Sequence, residues 1–557
     1  MSRSLLLALL LSPLPWSAVQ AAVPNDHDVA AFAERTVADA CEPTAPGIAV
    51  LVARGDDVLY RGACGRASVE LDVPLSPDHV FRIGSVTKQV AAAATLKLVE
   101  DGKLALDDTL DRFVPGYPGG DAITVRMLLD HTSGVRSYTA IPEHVRVRIM
   151  EDLDTAGLIA TFRDEPADFP PGTDWRYNNS GYVLLGAVIE QASGMPWHAY
   201  LQQAFFAPLG MDHTGYGHPA DGVIAGHVAG YTRNGERWVP ARHLSMTQPH
   251  AAGALVSTVD DLLVWNRALH TGRLLQADSY RAMTLPAGKA AEHDYGFGIT
   301  AQPLRGMPSL QHGGGIFGFA SYLLYLPDTG ITVAVLHNGD SPSPRMPGTG
   351  RLAHLLAAHA IGKPYPDKTP IDLDADILAG YEGVYRIDAE ATRVLRVRDG
   401  RLTSQRTGGA VYPLIPVGAD TFLFEEGFSR IVFERDAAGA VTAMRFFPED
   451  EGEGEVVARS EEPLPAAREA IELPRAALER LVGRYLYAGM QLDIALDGDT
   501  LSAQLAGQPA FALSAESPER FFVEVVDATL EFAPGPGPAA TLTLHQNGQV
   551  LEFARED

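Results

Sequence analysis

Phe81-Arg82-Ile83-Gly84-Ser85-Val86-Thr87-Lys88 leads into an Ala-rich stretch, Ser85 to Leu104, whose periodicity predicts a helix interrupted near its end by Asp101-Gly102. Ser85 would sit in the first turn, and Lys88, three residues on, would share its face. A helix N-terminus offers unpaired amide N–H groups and a positive dipole end, which stabilise negative oxygen and help keep a neighbouring lysine partly neutral. A serine beside a partly neutral lysine suits an activated nucleophile. Ser-x-x-Lys also arises by chance, and a serine at a helix start is commonly just an N-cap. The pair carries weight only with companions elsewhere in the chain.

Two such companions exist. Arg176-Tyr177-Asn178-Asn179-Ser180-Gly181-Tyr182 supplies Tyr-x-Asn in a turn-rich stretch before a helix predicted over Gly181 to Gln191. Alternate residues of an extended segment face one side, so Tyr177 and Asn179 can enter one cleft, the phenol as a proton relay and the amide as a holder of the substrate carbonyl. Gln311-His312-Gly313-Gly314-Gly315 precedes a strand-like run at Ala320 to Leu326. Its glycines let a substrate backbone approach an edge strand without side-chain interference. The Gly315 N–H, with that of Ser85, would form an oxyanion hole. His270-Thr271-Gly272 looks similar but ends a helical pattern with glycine at the stop position, so it is a decoy.

Around these motifs, helical patterns at His27 to Ala40, Val259 to Leu269 and Arg351 to Ala360 bracket strand-like runs within Pro46 to Glu70 and at Ile331 to Leu336. That order indicates an α/β (α+β) sandwich with a central antiparallel sheet. Pro-rich sequence from Lys363 to Pro370 reads as a linker, and beyond it the chain is mostly β. Gly383-Val384-Tyr385, Asp399-Gly400 and Phe433 recur as Gly483-Arg484-Tyr485, Asp497-Gly498 and Phe532, which marks one duplicated module. Each copy has the length of a small closed, lipocalin-like barrel of about eight short strands; a single large sandwich is the alternative. The expected division is a leader at 1–21, a catalytic domain at 22–362, and β modules at 376–459 and 475–557.

The leader is expected from Arg3, the apolar run Leu5 to Leu11 and the small-residue pattern Val19-Gln20-Ala21, which together predict a secreted or periplasmic protein without a transmembrane segment. A formal net charge of -26 opposes binding to nucleic acid or to anionic membrane surfaces. The two cysteines, Cys41 and Cys64, are able to close a disulfide in an oxidising compartment, or to stand as separate buried thiols. There is no His-Glu-x-x-His, no paired-cysteine ligand set and no phosphate loop, so neither a metal nor a cofactor is expected. Gly-x-Ser-x-Gly is also absent, which argues against an α/β-hydrolase.

Taken in order, the three motifs resemble the family of class C β-lactamases, D-alanyl-D-alanine carboxypeptidases, D-aminopeptidases and related esterases. The resemblance spans His27 to Ala360 and includes Leu128-Leu129-Asp130-His131-Thr132-Ser133-Gly134 and Gly181-Tyr182-Val183-Leu184-Leu185-Gly186, both of which look architectural. It implies an acyl-enzyme route through Ser85, with Lys88 and Tyr177 shuttling the proton, and His131 as a structural turn residue rather than a base. Many family members carry Lys-Thr-Gly where this chain has His312-Gly313-Gly314. That form, with two β modules behind the catalytic domain, looks most like the D-aminopeptidases, whose substrates present a free amine. An esterase, a β-lactamase or a carboxypeptidase with the same machinery is the alternative for a small peptide, amide or ester substrate, and a non-catalytic wall-binding descendant is the second.

Overall fold

The strand-like runs pair into one sheet because they alternate or saturate with apolar side chains between turn glycines. In the computed structural model, which describes residues 24–218, 222–343, 345–466, 468, 470–487, 490–505, 510–546 and 549–556, five antiparallel strands form the centre. They are β1 (Ile48–Arg54), β2 (Asp57–Cys64), β3 (Leu310–Ile316), β4 (Phe319–Leu326) and β5 (Ile331–His337), in the spatial order β3-β4-β5-β1-β2. Inner strands β1 and β5 are buried on both faces, so they read as continuous apolar runs rather than alternating ones. The proposed leader lies outside the described residues, and among the described residues no helix is long and apolar enough to cross a membrane.

One face of the sheet is covered by α1 (Asp26–Ala40) and the Thr349–Ala360 helix near the end of the catalytic domain, through Val29, Ala33, Val37, Leu352 and Leu356 against Val50, Val333 and Val335. The other face meets α2 (Thr87–Glu100), α3 (Asn179–Ser193) and α4 (Val259–His270). Helix α2 runs through the middle of that layer with Ala91 to Ala94 fully buried; small side chains let neighbours approach it from every side. It ends at Glu100, not at Leu104. Gly102 adopts φ +67°, which turns the chain away, and Leu104 is buried in its own right, which explains why the apolar pattern ran on. Cys41, at the end of α1, is disulfide-bonded to Cys64 at the end of β2, with Cα atoms 5.9 Å apart.

The duplicated sequence forms two closed eight-stranded antiparallel barrels, Gly383–Arg386 through Glu455–Arg459 and Gly483–Tyr487 through Gln549–Arg555. Their details repeat. Tyr385 Oη donates to Tyr381 O (2.9 Å) and Tyr485 Oη to Leu481 O (2.8 Å), while Ile371 N donates to Pro416 O and Ile471 N to Ala515 O, each at 2.8 Å. The Pro-rich segment after the catalytic domain is anchored rather than loose. Lys368 Nζ donates to the carbonyls of Phe424 (2.6 Å), Glu425 (2.9 Å) and Gly427 (2.9 Å), and Tyr365 stacks on Phe428 at 3.7 Å. The buried Asp450 of the first barrel meets Arg305 of the catalytic domain at 2.9 Å and also pairs with Arg430.

Candidate active site

Ser85 lies in a 3₁₀ turn, Gly84–Val86, that runs straight into α2. The turn depends on two glycine backbones. Gly84 has φ +50°, and a Cβ there would come within 3.0 Å of Gly315 N. A Cβ on Gly314 would overlap Ile83 O and Ser321 Oγ, and Ser321 Oγ itself donates to Ile83 O at 2.7 Å. The glycine-rich motif therefore forms edge strand β3, and Gly314 serves the close packing of that strand on the nucleophile turn rather than substrate approach. Around Gly315 the space beside the backbone is open.

Lys88 is fully buried, and its Nζ donates to Ser85 Oγ (3.1 Å), Asn179 Oδ1 (2.8 Å) and Ala252 O (2.8 Å). Burial pushes its pKa well below the usual lysine range, and no carboxylate forms an ion pair with it among the described residues. The three acceptors have different consequences. Asn179 and Ala252 occupy two N–H bonds in either protonation state, so loss of a proton turns the lone pair towards Ser85 Oγ, which is the alignment a general base needs.

Asn178 caps α3, its Oδ1 accepting from Gly181 N at 2.9 Å, and its backbone is extended (φ −144°, ψ 118°). That one extended residue brings Tyr177 and Asn179 to the same side, although Asn179 already begins the helix. The Tyr177 ring lies 4.8 Å from Lys88 Nζ. Burial raises the phenol's pKa while a hydrogen bond with Ser85 opposes the rise; burial thus favours the neutral phenol, which can pass a proton. The Asn179 amide also has a part inside the site. Its Oδ1 takes the lysine and its Nδ2 donates to Thr139 Oγ1 at 3.0 Å, so it positions Lys88.

His312 is buried with both ring nitrogens engaged: Nδ1 lies 2.6 Å from Gly313 O and Nε2 lies 3.0 Å from Tyr295 Oη. Nδ1 must then carry the proton. Burial first, and the Lys88 charge second, push the imidazole down to about 4. His131 has φ +66°, and its Nδ1 accepts from Asn178 N at 3.2 Å. Its carbonyl accepts from Arg176 N at 3.1 Å, and Gly172 N donates to Thr132 O at 2.8 Å. The Leu128–Gly134 segment thereby shapes the loop that delivers Tyr177.

Two contributors escaped the sequence reading. The Ala252 carbonyl leaves no side-chain signal. Tyr295 lies 6.1 Å, ring to ring, from Tyr177 and bonds His312; its setting, Tyr295-Gly296-Phe297-Gly298, carries alternate glycines that mark a close approach. Gly298 has φ +67°, and a Cβ there would fall 2.7 Å from the backbone carbonyl of Lys88. Gly298→Ala is expected to destabilise the protein by roughly 2–4 kcal/mol, strain and overpacking together, and to lower turnover by displacing Lys88. The comparison is Gly272→Ala, where φ is +76° but nothing lies within 4 Å. It should cost strain alone, and thermal melts of the two variants read the difference.

With the site described, its relatives can be placed. The Beta-lactamase family profile matches residues 29–358. Penicillin-binding protein 4* of Bacillus subtilis (strain 168) is 27% identical over 439 residues, 74% of this chain and 94% of that protein. The D-aminopeptidase of Gluconobacter oxydans (strain 621H) is 29% identical over 341 residues, 58% of this chain and 60% of that protein. Among solved structures, a D-stereospecific amidohydrolase from Streptomyces sp. superposes with a TM-score of 0.50 at 28% identity, over 57% of this chain and 95% of that one.

Proposed function

This chain belongs to the β-lactamase family of serine hydrolases, and from that premise we propose that Ser85 is its acylated nucleophile and that it cleaves amides or peptides presenting a D-residue with a free α-amine. The observation that carries the nucleophile is the buried Lys88, bonded to Ser85 Oγ and to two fixed acceptors. Ser85 Oγ attacks the carbonyl as its proton passes to Lys88 Nζ. The tetrahedral oxygen is held by the Ser85 and Gly315 amides. Tyr177 relays the proton to the departing amine, the C–N bond breaks, and water, deprotonated by the same pair, releases the acid and restores Ser85.

The substrate class rests on His312. A neutral, internally bonded imidazole gives a substrate carboxylate no cation to meet beside β3, and a chain of net charge -26 disfavours anionic substrates in general. The similarity to proteins named D-aminopeptidase and D-stereospecific amidohydrolase points the same way. We further read the protein as secreted or periplasmic, on the leader-like sequence of residues 1–21.

The test is a fluorophosphonate label mapped by mass spectrometry, with a hydrolysis panel of D- and L-alanine p-nitroanilides, a short-chain p-nitrophenyl ester and a chromogenic cephalosporin. Labelling at Ser85, with the D-anilide cleaved at least about tenfold faster than the L-form, is expected. Labelling elsewhere overturns the nucleophile. Turnover of only the ester or the cephalosporin removes the D-aminopeptidase reading and leaves the nucleophile standing.

A further inference from the structure

In a chain with 70 acidic and 44 basic residues, an arginine normally finds a carboxylate. Most arginines on the barrel surfaces do: Arg386 pairs with Glu462, Arg401 with Glu425, Arg445 with Glu434, Arg484 with Asp493 and Arg520 with Glu531. Among the described residues, Arg396, Arg398 and Arg406 do not. Among the described residues no carboxylate forms an ion pair with any of the three; Arg396 reaches the carbonyl of Pro465 and Arg398 that of Glu524 at 3.4 Å.

These three line one cleft of about 580 Å³ between the barrels, together with Arg468 from the connecting segment. Its walls are held in place by backbone bonds across the junction, Val411 N to Val525 O (3.0 Å) and Asp527 N to Gly409 O (3.3 Å). Two carboxylates also line it, and against the four arginines they leave two formal positive charges. Glu524 is bonded to Ser514 Oγ at 2.9 Å, and Asp527 stands 3.9 Å from Arg468.

The duplication supplies an internal control. The hairpin pair Arg398–Arg401 of the first barrel corresponds to Asp497–Thr500 of the second. Counting back along the outward face, Val394, Arg396 and Arg398 correspond to Asp493, Ala495 and Asp497. The module folds with either charge there, so the fold does not require the basic row. The row appears only on the copy whose face turns into the junction.

We infer that the inter-barrel cleft is a binding site for an oligoanion, a ligand or chain segment carrying two or more carboxylate or phosphate groups, read by the planar forks of Arg396, Arg398 and Arg406. Guanidinium groups bind both anions bidentately, and a walled cleft concentrates their field. The site is separate from the hydrolytic centre and would hold the enzyme on an anionic matrix.

The test uses the full chain and calorimetric titration at low ionic strength with two probes, tri-L-glutamate for carboxylates and tripolyphosphate for phosphates. One site per chain is expected for at least one probe, and which probe binds identifies the anion. Arg396→Ala combined with Arg406→Ala should weaken it at least about tenfold, Arg→Lys at both positions should restore part of the loss, and Arg484→Ala, a paired arginine on the far module, should leave it unchanged. Hydrolysis of a small ester should be the same in all of them. Absence of binding by both probes, or equal weakening by Arg484→Ala, overturns the inference.

Discussion

Lys88→Ala is expected to slow acylation by about 10³-fold, the range usual when a general base is removed, with Tyr177→Phe slowing it by about 10²-fold. The double variant should be no slower than the lysine variant alone. Both groups contact Ser85 and serve one proton transfer, so their losses overlap rather than multiply. Stopped-flow acylation by an activated ester separates this step from deacylation. A multiplicative double variant would mean that the two act on different steps.

The pH dependence carries the same assignment. Burial lowers the Lys88 pKa, so the rate should climb with pH through a value well below the ordinary lysine range and level off once the amine is neutral. His312, at about 4, and His131, also pushed down by burial, are already neutral on that limb. A limb that survives in Lys88→Ala would assign it to another group. The stability sign follows from the same burial. The unfolded chain keeps the lysine proton over a range where the folded chain has lost it, so the penalty for burying the amine is full below the folded pKa and fades as pH rises towards the unfolded value. Lys88→Met should be stabilised relative to the parent chiefly at low pH.

Much of this was legible because it rests on local chemistry. The strand-like runs Ala320 to Leu326 and Ile331 to Leu336 announced the β4–β5 pair, and the Tyr385 and Tyr485 neighbourhoods announced the duplication. Ser85, Lys88 and Tyr177 stood out because side chains of those kinds at those spacings have few other uses in common. What stayed hidden depends on long-range packing. The Ala252 carbonyl reaches Lys88 from 164 positions away. That Asn179 holds Lys88 could not be read from the sequence either, because the two are 91 positions apart. Arg396 and Arg398 look like an ordinary solvated strand face until the second barrel is set against them.

His312→Lys is expected to convert the substrate preference, and its cost in the unliganded protein is part of the expectation. In the parent, the ring nitrogens are matched to one donor and one acceptor, Tyr295 and Gly313, and the neutral imidazole lies close enough to Lys88 for that charge to depress it. A lysine at this position puts a second, unpaired ammonium into the same buried neighbourhood and removes the imidazole that accepts from the Tyr295 hydroxyl. Tm should fall by several degrees, since one unpaired buried polar group already costs about 1–3 kcal/mol. A substrate carboxylate placed along β3 would neutralise the new charge through a charge-assisted hydrogen bond worth about 1.5–3 kcal/mol. Acylation by benzylpenicillin or by a D-alanyl-D-alanine peptide should therefore rise roughly tenfold or more, while turnover of the D-alanine anilide, with its free amine, should fall. The penicillin adduct should also recover the lost Tm, which a purely structural lesion would not do. If penicillin acylation is unchanged and the parent already favours carboxylate-bearing substrates, the residue ahead of Gly313 and Gly314 does not set the preference, and the free-amine reading loses its physical basis.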